Sequence, residues 1–507
     1  MKLRADIVEI YREVHSWVGI LTALFLFVAF YAGAISMFEP AVQNWLSVES
    51  HLPAPVSLER TPELMDKAFA AFPEARKHYM IVLNVSRTQP ARMVWSKKAD
   101  PHGNVPKLFV GAALDQNGAL VTEKRPSSEA AYFIDVLHQR VGLPFSEDVA
   151  MPIMGVVALA YAVALVSGVI AFLPALKKSL FAVRLDGAKR RAWLDLHNVF
   201  GFFSLPFHIV MAVTSVVFAF HEQIYDVQKM LFHKADLPAH VRSRDEGVKN
   251  AGTPLEPAVL VAALARQAPG FVPNTLQYAV RGDGVLTLRV AGYDRRFPMR
   301  GPNVGFAMMD PLTGHIISTD YLPGHQPTGF AVLTSFFSLH FGSYGGAPVR
   351  WGYLVLGFSG AFLFYTGNQL WIMARRRRER ASGLEFDTRG TRILSSLTIG
   401  CCTGCMTGIA AVLTVAAFWP VFLPYMSIAT LYYVIFALCV LLACLLPSRR
   451  KAVALFTIAG ISNALLATVA LTREWHLHDG TSVAVATVAL LLAAGLLLVP
   501  LKMRRLA

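Results

Sequence analysis

At 507 residues, 54% hydrophobic with a mean hydropathy of +0.46, the chain is too apolar for an ordinary soluble protein and long enough for several membrane spans with folded loops between them. The net charge of +14 would suit a nucleic-acid binder, but much of it sits in short connections between apolar segments, where membrane topology accounts for it. These features argue against a cytosolic enzyme or a nucleic-acid-binding protein and predict a mainly α, polytopic membrane protein.

Spans of about 20 apolar residues, enough to cross roughly 30 Å of hydrocarbon, are predicted near 16–38, 150–174, 198–220, 350–374, 396–419, 425–446, 452–471 and 481–500, eight helices in all. The basic groups Lys177, Lys178, Lys189, Arg190 and Arg191, then Arg375 to Arg378, then Arg449, Arg450 and Lys451, then Lys502, Arg504 and Arg505 mark one side of the membrane and put both termini in the cytoplasm. The first span has a basic start without a small-residue cleavage site and is expected to stay as an anchor.

The first 380 residues contain a tandem repeat. His15 opens His15-Ser16-Trp17-Val18-Gly19 and His197 opens His197-Asn198-Val199-Phe200-Gly201, each beginning a span; Leu137-His138 and Leu339-His340 each precede the returning span. Gly33 follows His15 by eighteen residues, as Ser215 follows His197, and Ser167-Gly168 and Thr366-Gly367 stand late in the returning spans, where small residues suit close helix approach. Between them lie two long segments, 39–149 and 221–349. Each starts helix-like (Thr61 to Phe72; Glu256 to Gln267) and continues into strand-like runs (Tyr79 to Val85 and Leu108 to Leu114; Leu276 to Val280 and Leu286 to Val290). Turns at Asp115-Gln116-Asn117-Gly118 and Asp310-Pro311-Leu312-Thr313-Gly314 match as well, so each segment is expected to form its own small α+β domain.

These histidine motifs, the Ser-Gly and Thr-Gly pairs and Leu205-Pro206-Phe207-His208 together resemble the PepSY-associated transmembrane family over roughly residues 8 to 380. The resemblance implies a multi-pass protein of a bacterial inner membrane. Its layout is a first helix (1–38), a periplasmic PepSY-like domain (39–149), two helices with a basic cytoplasmic loop (150–220), a second PepSY-like domain (221–349) and a fourth helix with a basic end (350–380). A four-helix extension (394–507) lies outside the resemblance. Family members include siderophore reductases with bound b-type hemes, so two hemes b are expected here, held non-covalently because no C-x-x-C-H is present.

Neutral imidazoles in pairs make six-coordinate heme iron suited to electron transfer. Topology separates an inner pair, His15 with His197, from an outer pair, His138 with His340, as the expected ligands of heme iron. His208 lies eleven residues beyond His197, a rise of about 16.5 Å on one face of a straight helix, and is a further ligand candidate or part of the path between hemes. His221 reaches the outer end and is another, with Glu222 beside it to tune it. The competing reading is that boundary histidines meet water and lipid headgroups and that His208 bonds a neighbouring helix. Aromatics such as Trp17, Phe202, Phe203, Phe207, Phe336, Phe337, Phe341 and Tyr344 would pack on porphyrin or serve as core and interfacial anchors. Gly342, Gly345 and Gly346 would admit a flat macrocycle or make a turn.

All five cysteines, Cys401, Cys402, Cys405, Cys439 and Cys444, fall in the fifth and sixth spans, and the run around Cys402-Thr403-Gly404-Cys405 suits helix packing better than metal binding. His476-Leu477-His478 with Asp479 is a weak candidate for a surface metal. No nucleotide or flavin motif is present, so electrons would come from a quinol or a separate reductase; the resemblance implies that they pass to a ferric siderophore or other ferric complex. The alternatives are a heme-free siderophore or iron permease and a PepSY-based regulatory membrane protein.

Overall fold

The computed structural model describes residues 4–47, 50–85, 90–96, 108–126, 128–175, 189–220, 252–281, 284–301, 304–419, 424–477 and 480–505. Lys177, Lys178, His221, Glu222, His478 and Asp479 lie outside these described residues. The chain divides into a helical unit (1–46, 128–221 and 351–507) and a sheet unit (47–127 and 222–350).

The apolar segments of the helical unit form helices because their backbones can close every hydrogen bond internally, as hydrocarbon demands. Among the described residues, α1 (Ala5–Ser36), the short α2 (Glu39–Leu46) and α4 (Ala130–Gln139), and the long α5 (Glu147–Phe172) are followed by α6 (Lys189–Phe203) and α7 (Leu205–Ala219). Then come α10 (Gly346–Ala381), α11 (Arg389–Phe418), α12 (Tyr425–Leu445), α13 (Ser448–Leu477) and α14 (Thr481–Arg505). Six of these are long and apolar enough to cross a membrane, and α6 with α7 makes a seventh as a bent pair. The expected eighth, 350–374, lies inside α10, a helix less apolar than the others because of Thr366, Asn368 and Gln369. Thr366 and Asn368 are buried, and Asn368 Nδ2 donates to Thr398 Oγ1 of α11 at 3.2 Å, so this polarity faces protein.

The third predicted span is not one straight helix. Helices α6 and α7 meet at 67°. Pro206 has no N–H to give to the Phe202 carbonyl and its ring crowds the preceding turn, so the backbone ladder breaks at Ser204 and a new helix starts at Leu205. Ser204 Oγ donates to the Phe200 carbonyl at 2.5 Å across the break. His197 and His208 therefore do not stack on one helical face, as a continuous helix would require.

Helices α11 to α14 share a core with the repeat: Phe27 and Tyr31 of α1, Trp45 of α2 and Phe133 of α4 cluster with Ile409, Tyr432 and Leu455. The stripe Gly400, Gly404, Gly408 brings α11 against α12; a Cβ at Gly408 would stand 2.7 Å from the Tyr432 ring, and one at Gly400 2.8 Å from Val440 Cα. Cys402 and Cys405 are buried in this packing, as expected of a packing role. Among the described residues no three His, Cys, Asp or Glu side chains gather to hold a metal ion.

The sheet unit departs from the sequence expectation of two domains. Strands β1 (His78–Val82), β2 (Met93–Trp95), β3 (Leu108–Leu114) and β4 (Leu120–Pro126) come from the first segment, and β5 (Val272–Val280), β6 (Leu286–Tyr293), β7 (Gly305–Met309) and β8 (Ile316–Tyr321) from the second. They form one antiparallel sheet in the order β4-β3-β2-β1-β5-β6-β7-β8. Strands β1 and β5 make the seam, with Tyr79 opposite Tyr278 and their rings stacked 4.5 Å apart. Helices α3 (Thr61–Ala71) and α8 (Pro257–Gln267) share one apolar core with the strands through Leu64, Ala68, Leu260 and Leu264. The repeat persists in the turns. Lys67 Nζ donates to the Gly118 carbonyl at 2.6 Å and Gln267 Nε2 to the Gly314 carbonyl at 2.7 Å, each tying its helix to the matching hairpin. Helix α9 (Thr328–Phe341) closes the unit and ends at Gly342 with φ +57°, so this glycine makes a turn.

Candidate functional site

His15 of α1 and His197 of α6 face each other, with ring centroids 6.2 Å apart and planes inclined at 67°. Each is seated on a returning helix. His15 Nδ1 lies 2.8 Å from the Ala164 carbonyl of α5, and a Cβ at Gly168 would come within 2.8 Å of its ring. His197 Nδ1 lies 2.9 Å from Thr366 Oγ1 of α10, and a Cβ at Gly367 would stand 3.5 Å from its ring. Gly168 and the pair Thr366-Gly367, read from the sequence as helix-packing residues, thus help to seat the two imidazoles, while the Ser167 hydroxyl donates to the Val163 carbonyl of its own helix at 2.6 Å.

The seats also set the protons. A carbonyl oxygen only accepts, so Nδ1 of His15 carries a hydrogen, and the neutral tautomer compatible with this bond has its lone pair on Nε2. Thr366 donates its hydroxyl to the Leu363 carbonyl at 2.7 Å and therefore accepts from His197 Nδ1, with the same outcome. Metal-bound histidines are oriented in this way, one nitrogen on the metal and the other donating outward.

His138 of α4 repeats the pattern: Nδ1 lies 2.8 Å from the Ala29 carbonyl of α1, and a Cβ at Gly33 would come within 2.6 Å of it. In both this seat and that of His15, the histidine bonds a carbonyl four residues before the glycine it packs against, Ala29 before Gly33 and Ala164 before Gly168. His15 lies near the start of α1, and the seat of His138 lies 14 to 18 residues further along, roughly 21–27 Å at 1.5 Å per residue. His15 and the seat of His138 thus lie towards opposite ends of α1. His340, buried on α9 in the sheet unit, packs edge-on to Phe341 at 5.7 Å.

His208 is 1% exposed, with Nδ1 2.5 Å from Tyr161 Oη of α5 and its ring 5.4 Å from that of Phe30. Its Nε2 is buried and has no hydrogen-bond partner among the described residues. A Cβ at Gly360 would stand 2.5 Å from the Phe30 ring and 3.1 Å from His208 Cε1, so it is chiefly the Phe30 ring beside this imidazole that requires glycine. Tyr161 and Thr366 were not identified from the sequence. Thr366 belonged to a recognised motif, whereas Tyr161 carried no signal beyond its place in an apolar span.

The donor set fits heme. The 6.2 Å between the His15 and His197 ring centroids is enough for one metal ion bound by a nitrogen of each ring at about 2 Å. One turn beyond His15, a Cβ at Gly19 would meet nothing within 4 Å, leaving open space next to the ligand position. Trp17 meets Trp371 at 6.2 Å and Phe207 meets His208 at 5.7 Å. Arg190 and Arg191 are exposed.

No curated protein matches the chain. Residues 12–374 match the PepSY-associated TM region, from α1 through most of α10, which takes in both repeats and both segments of the sheet. With this match over most of its length, the chain belongs to the PepSY-associated transmembrane family.

Proposed function

We propose that the protein is a di-heme b-type electron-transfer protein of a bacterial inner membrane, and that it reduces ferric siderophores or other ferric chelates on the external side. The observation that carries this reading is the His15–His197 pair, facing at 6.2 Å with both Nδ1 atoms engaged by neighbouring helices. A b-type heme, when bound, supplies a one-electron carrier between two imidazoles. His15 and His197 would hold one through Nε2, and Ala164 and Thr366 keep both rings in the required tautomer. His138, oriented by Ala29 in the same manner, is assigned to the second, for which the sequence repeat names His340 as the matching ligand.

The basic clusters at 375–378 and 449–451 support cytoplasmic termini and an inner donor, a quinol or a separate reductase. Reduction of the substrate to Fe(II) weakens its hold by hard oxygen ligands and so releases iron. The test is a reduction cycle. Protein purified from heme-replete cells and reduced anaerobically should show a b-type spectrum that reverts on adding a ferric chelate and persists with its gallium counterpart. A colourless protein would overturn the reading and favour a heme-free permease.

A further inference from the structure

We infer that Arg300 and Arg289, set in an aromatic ladder leading to His340, form a docking site for an anionic ferric chelate with aromatic oxygen donors. This inference rests on the electron-transfer reading, because it names the substrate class and its place. Leu288 and Val290 of β6 face the core under α3 and α8, so Arg289 between them points from the opposite face of the sheet. Its guanidinium lies 3.9 Å over the Phe306 ring of β7. The Phe306 ring is 5.0 Å from that of Tyr321 on β8, and Arg300 lies over Tyr321 at 4.5 Å and Phe337 of α9 at 5.4 Å. From Phe337 the rings continue to Phe341 at 6.3 Å and from Phe341 to His340 at 5.7 Å.

Two cations share one cluster of rings. Arg300 is exposed, the nearby Asp294 is committed to Arg296 at 2.7 Å, and among the described residues Arg300 takes part in no ion pair. The exposed Arg300 guanidinium, stacked on aromatic faces, keeps its N–H edge available for a bidentate bond to paired oxygens, while Arg289 adds positive charge to the same cluster. Catecholate-type chelates present such oxygens, carry net negative charge as ferric complexes and offer rings that stack on Tyr321 and Phe337. The charge complements the cluster, which an uncharged or cationic chelate would not exploit.

The test measures binding of gallium(III) tris-catecholate, a redox-inert anionic probe, to the full-length purified protein by equilibrium dialysis. Arg300→Gln should weaken binding roughly tenfold or more, while Arg300→Lys should recover part of it and heme content stays that of the wild type. Binding should weaken with added salt, and a neutral gallium trihydroxamate should bind less tightly than the catecholate. Equal binding by wild type and Arg300→Gln, or no binding by wild type, would overturn the site. The two readings fail separately. A heme-free protein with Arg300-dependent binding keeps the site and loses electron transfer, whereas a heme protein that reduces chelates indifferently to Arg300 loses only the site.

Discussion

His15 packs on Gly168 so closely that a Cβ there would come within 2.8 Å of the imidazole, while its Nδ1 reaches the Ala164 carbonyl one turn earlier on the same helix. Position and tautomer are therefore set by a single turn of α5. Gly168→Val should displace the ring and, on the proposed assignment, lower the heme content by one; Gly19→Ala, where a Cβ meets nothing within 4 Å, should fold normally. Heme content by absorbance after purification distinguishes the two variants.

Thr366 relays a hydrogen bond from His197 Nδ1 to the Leu363 carbonyl. Thr366→Val keeps the shape and removes the acceptor. Partners that orient a metal ligand in this way are worth roughly 10–100-fold in affinity, so heme titration of the stripped protein should show at least a tenfold loss, and Thr366→Ser should restore it. Equal affinity in Thr366→Val would separate this hydroxyl from cofactor binding.

Much of this arrangement was legible in the sequence because the repeat places His15 against His197 and Ser167-Gly168 against Thr366-Gly367. What those small residues receive was not, since the partners of His15 and His138 are backbone carbonyls, which no side-chain pattern marks. The straight-helix relation of His197 to His208 failed because the N–H that Pro206 lacks and the turn its ring crowds outweigh an apolar pattern that runs through it. The two-domain expectation failed for a different reason. Strand β1 meets β5 nearly 200 residues later, from His78 with Ala279 to Val82 with Thr275, and local alternation cannot reveal such a partner.

That seam gives a prediction. Residues 47–127 alone would leave the edge of β1 unpaired and lose the Tyr79–Tyr278 stack, a pair worth about 0.5–1.5 kcal/mol beyond its buried area. The isolated segment should lack a cooperative thermal transition by circular dichroism, and a fusion of both sheet segments should show one. A cooperative transition in the isolated segment would support two independent domains.

Glu379, beyond the 350–374 span, takes hydroxyl hydrogen bonds from Thr388 and Thr391, each at 2.6 Å. These hold its carboxyl at about 2, below the ordinary 4.5. Because the folded value is depressed, the stabilisation is fully present above about pH 4.5 and is lost as pH falls towards 2. Thermal midpoints measured across that window should fall for the wild type, and Glu379→Gln should remove part of the slope. An unchanged slope in the variant would show that other carboxylates carry the acid sensitivity.

The central claim is that matched histidine pairs hold two hemes, and heme stoichiometry tests it most directly. Pyridine hemochrome assay against quantitative amino-acid analysis should give two b-type hemes per chain for the wild type and one for His15→Ala. Two hemes retained in His15→Ala, or none in the wild type, would contradict the account.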